Sequence, residues 1–173
     1  MQTVLEYFAA FGELGEEGFL AKYDHPFLLY PDHHGHGGFR SYHTRMADRG
    51  EGANLAGSTK SLRDFRVLAP ASSGQGPMPE KILVGRGEDR DLAIDHSTVS
   101  KRHAFLIFDA DHQAYKLGDA GSTNGTFLNG QAVESGEPVF LKDGNVVSFG
   151  DCDYLFFSPK GFVGILSRMG PGA

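Results

Sequence analysis

The chain has 173 residues, of which 40% are apolar and 22% are charged; this suffices for one domain with a hydrophobic core and argues against wholesale disorder. Its 16 Lys and Arg residues are outnumbered by 22 Asp and Glu, giving a net charge of −6. This balance argues against nucleic acid as a partner, because phosphate backbones are held by clustered cations. No apolar run approaches the roughly 18 residues of a membrane-spanning helix, so no membrane partner is expected either.

The cysteine content and the first residues bear on the cellular compartment. Cys152 is the only cysteine, which excludes an internal disulfide and any zinc motif built from cysteine pairs. The first 19 residues lack the basic segment of a secretory signal and carry four glutamates. Together these features predict a cytoplasmic protein.

Residues 1–31 are predicted to form a helical N-terminal extension. Apolar side chains recur there at helical spacing, while Gly15 and Gly18 interrupt the pattern and predict two short helices in place of a long one. The run HPFLLYP at 25–31 is bounded by prolines and indicates a strand or a buried connector. The apolar stripe consists of Val4, Leu5, Tyr7, Phe8, Phe11 and Leu14.

Residues 32–61 change character, because they are rich in glycine, histidine and charge and show no periodicity. We interpret them as an irregular linker. One group of polar side chains in it could ligate a transition metal, but no predicted helix or strand fixes their positions, so we favour a solvated loop without a metal. The group comprises Asp32, His33, His34, His36 and His43.

From residue 62 to residue 159 the sequence is typical of an all-β domain. Short apolar runs separated by turn residues follow one another without helical segments between them, which predicts a β-sandwich or a barrel. Asp143-Gly144 is a pair favoured in tight hairpins, and SSGQGPMP at 72–79 indicates a loop between the first two strands. Residues 160–173 return to helical spacing and predict a short C-terminal helix and tail. The predicted strands are FRVLA, KILVG, DLAI, HAFLIF, AYKL, TFL, PVFL, NVVSF and YLFF.

Three polar, turn-rich segments lie at the ends of predicted strands: GRGEDRD (85–91), HSTVSKRH (96–103) and GDAGSTNGTFLNG (118–130). Each alone is typical of a plain connector, since Gly, Asn, Ser and Asp are ordinary turn residues. Together they supply a forked cation, a second cation, two hydroxyls, an amide and free backbone N–H groups, which is a set suited to binding an anion. These side chains belong to Arg86, Lys101, Ser100, Thr123 and Asn124.

The segments VGR, VSKRHA, DAGSTNGTFLNG and LKDGNVVSFG follow one another in the order and spacing of a forkhead-associated (FHA) domain. The chain resembles this family over about 62–159. The resemblance implies an FHA-type β-sandwich of about eleven strands, here with short helical extensions at both ends. It further implies a non-catalytic module that binds phosphothreonine peptides through the loops at one end. Such a module recruits a Thr-phosphorylated partner in Ser/Thr-kinase signalling, either a Ser/Thr protein kinase or its substrate.

The roles of individual residues follow from the same resemblance. Arg86 and Ser100 would contact the phosphate. Lys101 and Thr123 would assist them, and Asn124 would hold the ligand backbone beside the phosphothreonine. The residues that would shape the loops are Gly85, His103 and Gly125, with Asn129 and Gly130 closing the turn after TFL.

Thr98 departs from the family pattern. Some relatives carry a long basic residue at this position, two before the serine, and in those relatives it reads an acidic residue after the phosphothreonine. The resemblance therefore leaves the ligand preference there open, with Arg90 or Arg102 as possible substitutes.

An enzyme is the first alternative, and the sequence gives it little support. Ser100 and His103 are three residues apart on an extended segment, so their side chains point in different directions. GSTNG places Thr where a nucleophile elbow has Ser, and GRGEDR lacks the third glycine of a dinucleotide site. Cys152 lies between acids, which disfavours a thiolate. We therefore predict neither catalysis nor a cofactor.

A phospho-independent scaffold or oligomerisation protein, using the FHA fold and its helical extensions, is the second alternative. Because each terminal helix is too short to be stable alone, we hypothesise that the two pack together or against the sandwich. A dimer built through residues 1–30 would favour the scaffold.

Overall fold

Two of the predicted segments, the linker at 32–61 with its histidine group and the loop at 72–79, lie outside the residues that the computed structural model describes. The described residues are 2–31, 62–63, 65–70 and 81–170.

The described part of the chain contains twelve β-strands and two α-helices. Each predicted strand run overlaps one of these strands, so the predicted all-β class is confirmed. The helices are α1 (Val4–Lys22) and α2 (Pro159–Arg168). The strands are β1 (Gln2–Thr3), β2 (Phe27–Pro31), β3 (Phe65–Leu68), β4 (Lys81–Gly85), β5 (Leu92–Ala93), β6 (Ala104–Asp109), β7 (Ala114–Asp119), β8 (Thr126–Leu128), β9 (Gln131–Ala132), β10 (Val139–Phe140), β11 (Val146–Phe149) and β12 (Cys152–Phe157).

The strands form two sheets that pack face to face. One sheet has the order β1-β3-β2-β12-β11-β8-β9, and the other has the order β10-β7-β6-β4-β5. Neighbouring strands are antiparallel, except that β4 and β5 are parallel. Leu106 and Leu117 of the five-stranded sheet are fully buried in one cluster with Val147 and Phe149 of the other sheet. This shared core makes the two sheets a β-sandwich.

A second apolar core lies between the seven-stranded sheet and the two helices. Phe162 of α2 is fully buried, and its ring centre lies 5.5 Å from that of Tyr7 in α1 and 4.2 Å from that of Phe27 in β2. Leu29 and Phe157 of the sheet belong to the same cluster. The hypothesis that the terminal helices pack together and against the sandwich is therefore confirmed.

The N-terminal helix departs from the predicted pattern in two respects. Gly15, with φ of +67°, divides α1 into two helical segments, which confirms the two short helices predicted, but Gly18 lies inside the second segment and does not interrupt it. The predicted apolar stripe is wrong at Leu5 and Leu14, whose side chains are 45% and 39% exposed. These two residues lie on the solvent side of the helix.

The strand pairing crosses one of the predicted domain boundaries. β2 lies between β3 and β12, with Leu29 opposite Val67 on one side and opposite Leu155 on the other. Residues 27–31, predicted as part of the N-terminal extension, thus form a central strand of the sandwich sheet. The predicted N-terminal extension and the predicted β-domain therefore share this sheet, because β2 pairs with strands that lie far from it in sequence.

Two predicted turns have different outcomes. Asn129 and Gly130, with φ of +50° and +82°, connect the paired strands β8 and β9, as predicted. Asp143-Gly144 also lies in a turn, but it connects β10 to β11, which belong to different sheets. The hairpin predicted there is therefore wrong, and the turn is a crossing between the two layers.

Candidate functional site

Three loops are held together at one end of the sandwich. The first loop is residues 86–91 after β4, the second loop is residues 94–103 before β6, and the third loop is residues 120–125 between β7 and β8. Backbone hydrogen bonds that involve these loops hold them together, so the fold positions the loops. The joining bonds are Arg86 N to Ser100 O at 2.9 Å, Ile94 N to Gly85 O at 2.9 Å and Ala120 N to His103 O at 2.9 Å.

Arg86 follows β4 directly and is exposed. Within the part of the chain that the structure describes, its guanidinium has no hydrogen-bond or ion-pair partner. Gly85 is buried beside it, and a Cβ atom there would lie 2.3 Å from the carbonyl oxygen of Lys101 and 3.0 Å from that of Ser100. The missing side chain at Gly85 therefore allows the second loop to approach the end of β4.

Ser100 and Thr123 are 23 residues apart in sequence and come together from two different loops. The Thr123 N–H donates to Ser100 Oγ at 3.0 Å, and the two hydroxyl oxygens are 3.5 Å apart. Lys101, next to Ser100, is exposed. Ser100 and Lys101 thus lie on the second loop, and the Thr123 hydroxyl lies directly against that loop.

Asn124 bridges the third loop to the second. Its Nδ2 donates to the carbonyl oxygen of Thr98 at 2.8 Å, and no described residue donates to its Oδ1. The Thr98 hydroxyl lies 2.8 Å from His96 Nδ1 and accepts from Asp151 N at 3.0 Å. Thr98 therefore turns toward the β11–β12 turn, and its side chain is occupied there.

His103 is fully buried between the loops. Its Nδ1 accepts from Ser100 N at 3.0 Å and its Nε2 donates to Gly125 O at 2.9 Å, which assigns the proton to Nε2 in the neutral ring. His103 thus meets Ser100 through the backbone N–H and not through Oγ. This geometry lacks the hydroxyl–imidazole hydrogen bond that activates a serine nucleophile.

Burial lowers the pKa of His103, and the Gly125 carbonyl and the charge of Asp119 offset the effect only in part. The unfolded chain has an ordinary histidine with a pKa of about 6.5. As the pH falls through this value, the unfolded chain takes up a proton that the folded chain does not, so folding stability falls. His25, whose pKa is also lowered by burial, adds to the same trend.

We expect an NMR titration of the His103 ring to give a pKa below 6.5. The free energy of unfolding should fall by up to about 1.4 kcal/mol per pH unit and per histidine below pH 6.5, until each folded-state pKa is reached. Urea unfolding at pH 7.5 and 5.5 measures this change. A His103 pKa at or above 6.5 would contradict the buried, neutral assignment.

The cations that could replace a basic residue at Thr98 differ in availability. Arg90 is ion-paired with Asp89, and its side chain is only 13% exposed. Arg102 is exposed. Of the two, Arg102 is therefore the cation that remains accessible at the second loop.

Other candidate chemistry has little support in the described residues. Burial raises the pKa of the Cys152 thiol to about 12, with Asp151 and Asp153 adding to the effect, so it is not a thiolate near neutral pH. The residues described include no cluster of His, Cys, Asp and Glu arranged to hold a metal ion. Among them, no helix combines the length and the apolar character needed to cross a membrane.

Two residues that hold the third loop, one at the end of β7 and one in the loop itself, were not singled out from the sequence. Asp119 and Ser122 bond to each other and to the loop backbone. The signal that could have found them is the spacing Asp-x-x-Ser ahead of Asn-Gly, because Asp commonly accepts from backbone N–H groups two and three residues later.

Residues 82–150 match the family model of the FHA domain. The ABC transporter ATP-binding/permease protein Rv1747 of Mycobacterium tuberculosis is 36% identical over 107 residues, which are 61% of this chain and 11% of that protein. Human angiogenic factor with G patch and FHA domains 1 is 39% identical over 74 residues, 39% of this chain and 10% of that protein. An NMR-based structure of the FHA-2 domain from Rv1747 is 32% identical, covers 53% of this chain and 81% of that chain, and has a TM-score of 0.40.

Residues 82–150 are therefore an FHA domain, as the resemblance predicted. The matched range begins in β4 and ends in the turn after β11, so it includes all three loops. The chain spans only about a tenth of the length of the two curated relatives. FHA domains are binding modules rather than enzymes.

Proposed function

We propose that this chain binds a Thr-phosphorylated peptide or protein segment where the three loops meet. The observation that carries the proposal is the exposed Arg86 guanidinium, which has no partner among the described residues and follows a strand end bonded to Ser100. Its second support is the assignment of 82–150 to the FHA domain, since FHA domains bind phosphothreonine peptides.

The chemistry of the loops suits a phosphate. A phosphothreonine carries about −1.5 to −2 charges at pH 7 and several strong acceptor oxygens. Arg86 would bind two of these oxygens with its forked N–H groups, and Lys101 would add a second cation. The hydroxyls of Ser100 and Thr123 would donate to the remaining oxygens. The ligand would thus meet donors that the fold already holds in place.

Asn124 would hold the ligand backbone beside the phosphothreonine. Its amide nitrogen is fixed by the Thr98 carbonyl, which orients the amide group. Its Oδ1 would accept from a ligand N–H, and the second N–H of its amide would remain available as a donor. Gly85, His103 and Gly125 would shape the loops without contacting the ligand.

The proposed role is that of a non-catalytic reader of threonine phosphorylation. Its partner would be a protein phosphorylated by a Ser/Thr kinase, or the kinase itself, in the cytoplasm. The backbone contact between Ser100 and His103 supports a binding role over a hydrolytic one. The described residues do not favour the scaffold alternative, because the apolar side chains of both helices are largely packed against the sheet of the same chain.

Phosphorylation of the ligand is expected to decide binding. Three versions of one labelled peptide, carrying phosphothreonine, threonine or glutamate, should be compared by fluorescence anisotropy. Glutamate has less charge and a flat carboxylate, so we expect it and threonine to bind at least about 100-fold more weakly, as two lost charge-assisted bonds require. Comparable affinity for the glutamate and phosphothreonine peptides would refute the proposed function.

A further inference from the structure

A buried carboxylate anchors the third loop. Asp119 ends β7 and is only 7% exposed. Its Oδ2 accepts from the N–H groups of Gly121 at 2.8 Å and Ser122 at 3.0 Å. Its Oδ1 accepts from the hydroxyls of Ser122 at 2.6 Å and Thr126 at 2.7 Å. Burial opposes the charge, but these four bonds more than offset it, so the pKa of Asp119 lies below its ordinary value.

Ser122 extends the influence of this carboxylate along the loop. Its hydroxyl donates to Asp119 Oδ1 and at the same time accepts from Gly125 N at 3.0 Å. The loop is therefore fixed at its start, at Gly125 and at Thr126. Thr123 and Asn124 lie between these fixed points, and their side chains are exposed.

Hydrogen bonds also connect the third loop to the second loop in a closed ring. Ser122 Oγ accepts from Gly125 N, Gly125 O accepts from His103 Nε2, and His103 Nδ1 accepts from Ser100 N. Ser100 Oγ accepts from Thr123 N, and Thr123 is joined to Ser122 by the peptide bond. A displacement of Ser122 is thus transmitted to both hydroxyls of the proposed phosphate site.

We propose that Asp119, acting through Ser122, is a positioning residue for the phosphothreonine ligand. It sets the places of Thr123 and Asn124 without touching the ligand. The proposal rests on the proposed function and assigns the rigidity of that site to one carboxylate. A loop held in its binding geometry loses little conformational freedom when the ligand arrives, whereas a loosened loop must be ordered at the expense of affinity.

Substitution of the two residues tests the proposal. Asp119→Asn keeps the shape but replaces one acceptor oxygen with an NH2 group, so the four donors can no longer all be satisfied. We expect this variant to bind a fluorescein-labelled phosphothreonine peptide library at least about tenfold more weakly. Ser122→Ala removes the link to Gly125 and should weaken binding about fivefold to tenfold, whereas Ser122→Thr restores the hydroxyl and should bind within about twofold of wild type.

A control separates positioning from general destabilisation. Val163 is buried in α2, away from the loops, so Val163→Ala should lower the melting temperature and leave the affinity unchanged. Wild-type affinity in both Asp119→Asn and Ser122→Ala would overturn the proposal while leaving the proposed function standing. The same holds if folded Ser122→Thr binds as weakly as Ser122→Ala. If Asp119→Asn fails to fold, the two Ser122 variants decide. No binding by wild type to the phosphorylated library would overturn the proposed function, and this proposal with it.

Discussion

Replacing Arg86 with alanine is expected to weaken phosphothreonine-peptide binding by at least about 100-fold. Each charge-assisted hydrogen bond contributes about 1.5–3 kcal/mol, and the guanidinium can make two of them to one phosphate. Their loss amounts to about 3–6 kcal/mol, where each 1.4 kcal/mol is a tenfold change in affinity. The fold should be unaffected, because the exposed guanidinium has no partner among the described residues.

Two further variants make the Arg86 result specific. Arg86→Lys keeps the positive charge but loses the forked geometry, so its affinity should lie between those of wild type and Arg86→Ala. Arg168→Ala removes an exposed arginine from α2 and should bind like wild type. Anisotropy titrations and thermal melts measure affinity and stability. A loss of less than about fivefold in Arg86→Ala would show that the phosphate is bound elsewhere.

Gly85→Ala is expected to damage both the fold and the site. The new Cβ would lie 2.3 Å from the carbonyl oxygen and 2.9 Å from the carbonyl carbon of Lys101, which are backbone atoms that cannot rotate away. Relief requires a shift of the second loop, and such overpacking costs about 1–3 kcal/mol of unfolding free energy. Because Ser100 and Lys101 would move with the backbone, binding should weaken by about tenfold or more.

The matched control for Gly85→Ala is Gly164→Ala in α2. A Cβ at Gly164 has no atom within 4 Å, and alanine in a helix interior is favoured over glycine by about 0.5–1 kcal/mol. This variant should unfold at slightly higher urea concentration and bind normally. If Gly85→Ala matched wild type in both stability and affinity, the close approach between β4 and the second loop would not matter to the site.

The individual strands could largely be predicted from the sequence, because most of them correspond to a short apolar run bounded by turn residues. HAFLIF and AYKL are examples, and they pair as β6 and β7. The neighbours of more distant strands could not be predicted. The partners of β2 lie at 65–68 and 152–157, and nothing within the run FLLYP specifies them. The two-residue strand β1 falls within the extension predicted to be helical, because such a short strand has no period of its own.

The site residues were predicted from the motifs VGR, VSKRHA and DAGSTNGTFLNG, and the structure brings the loops that carry these motifs together. What the sequence could not supply is the direction in which each side chain is held. Thr98 is turned to the β11–β12 turn by Asp151 N, and Arg90 is engaged by Asp89. The role of Asp119 could not be predicted, because its four donors come from the third loop and from Thr126 of β8, and no periodic pattern in the sequence specifies the conformation of that loop.

The most direct test of phosphothreonine recognition is an NMR titration of the isotope-labelled chain with one peptide in phosphorylated and unphosphorylated form. We predict saturable shifts of the backbone amides of Arg86, Ser100 and Thr123 and of the Asn124 side-chain amide, with the phosphorylated peptide only. Equal shifts with both forms, or shifts confined to α1 and α2 with none in the three loops, would contradict phosphothreonine recognition by this site.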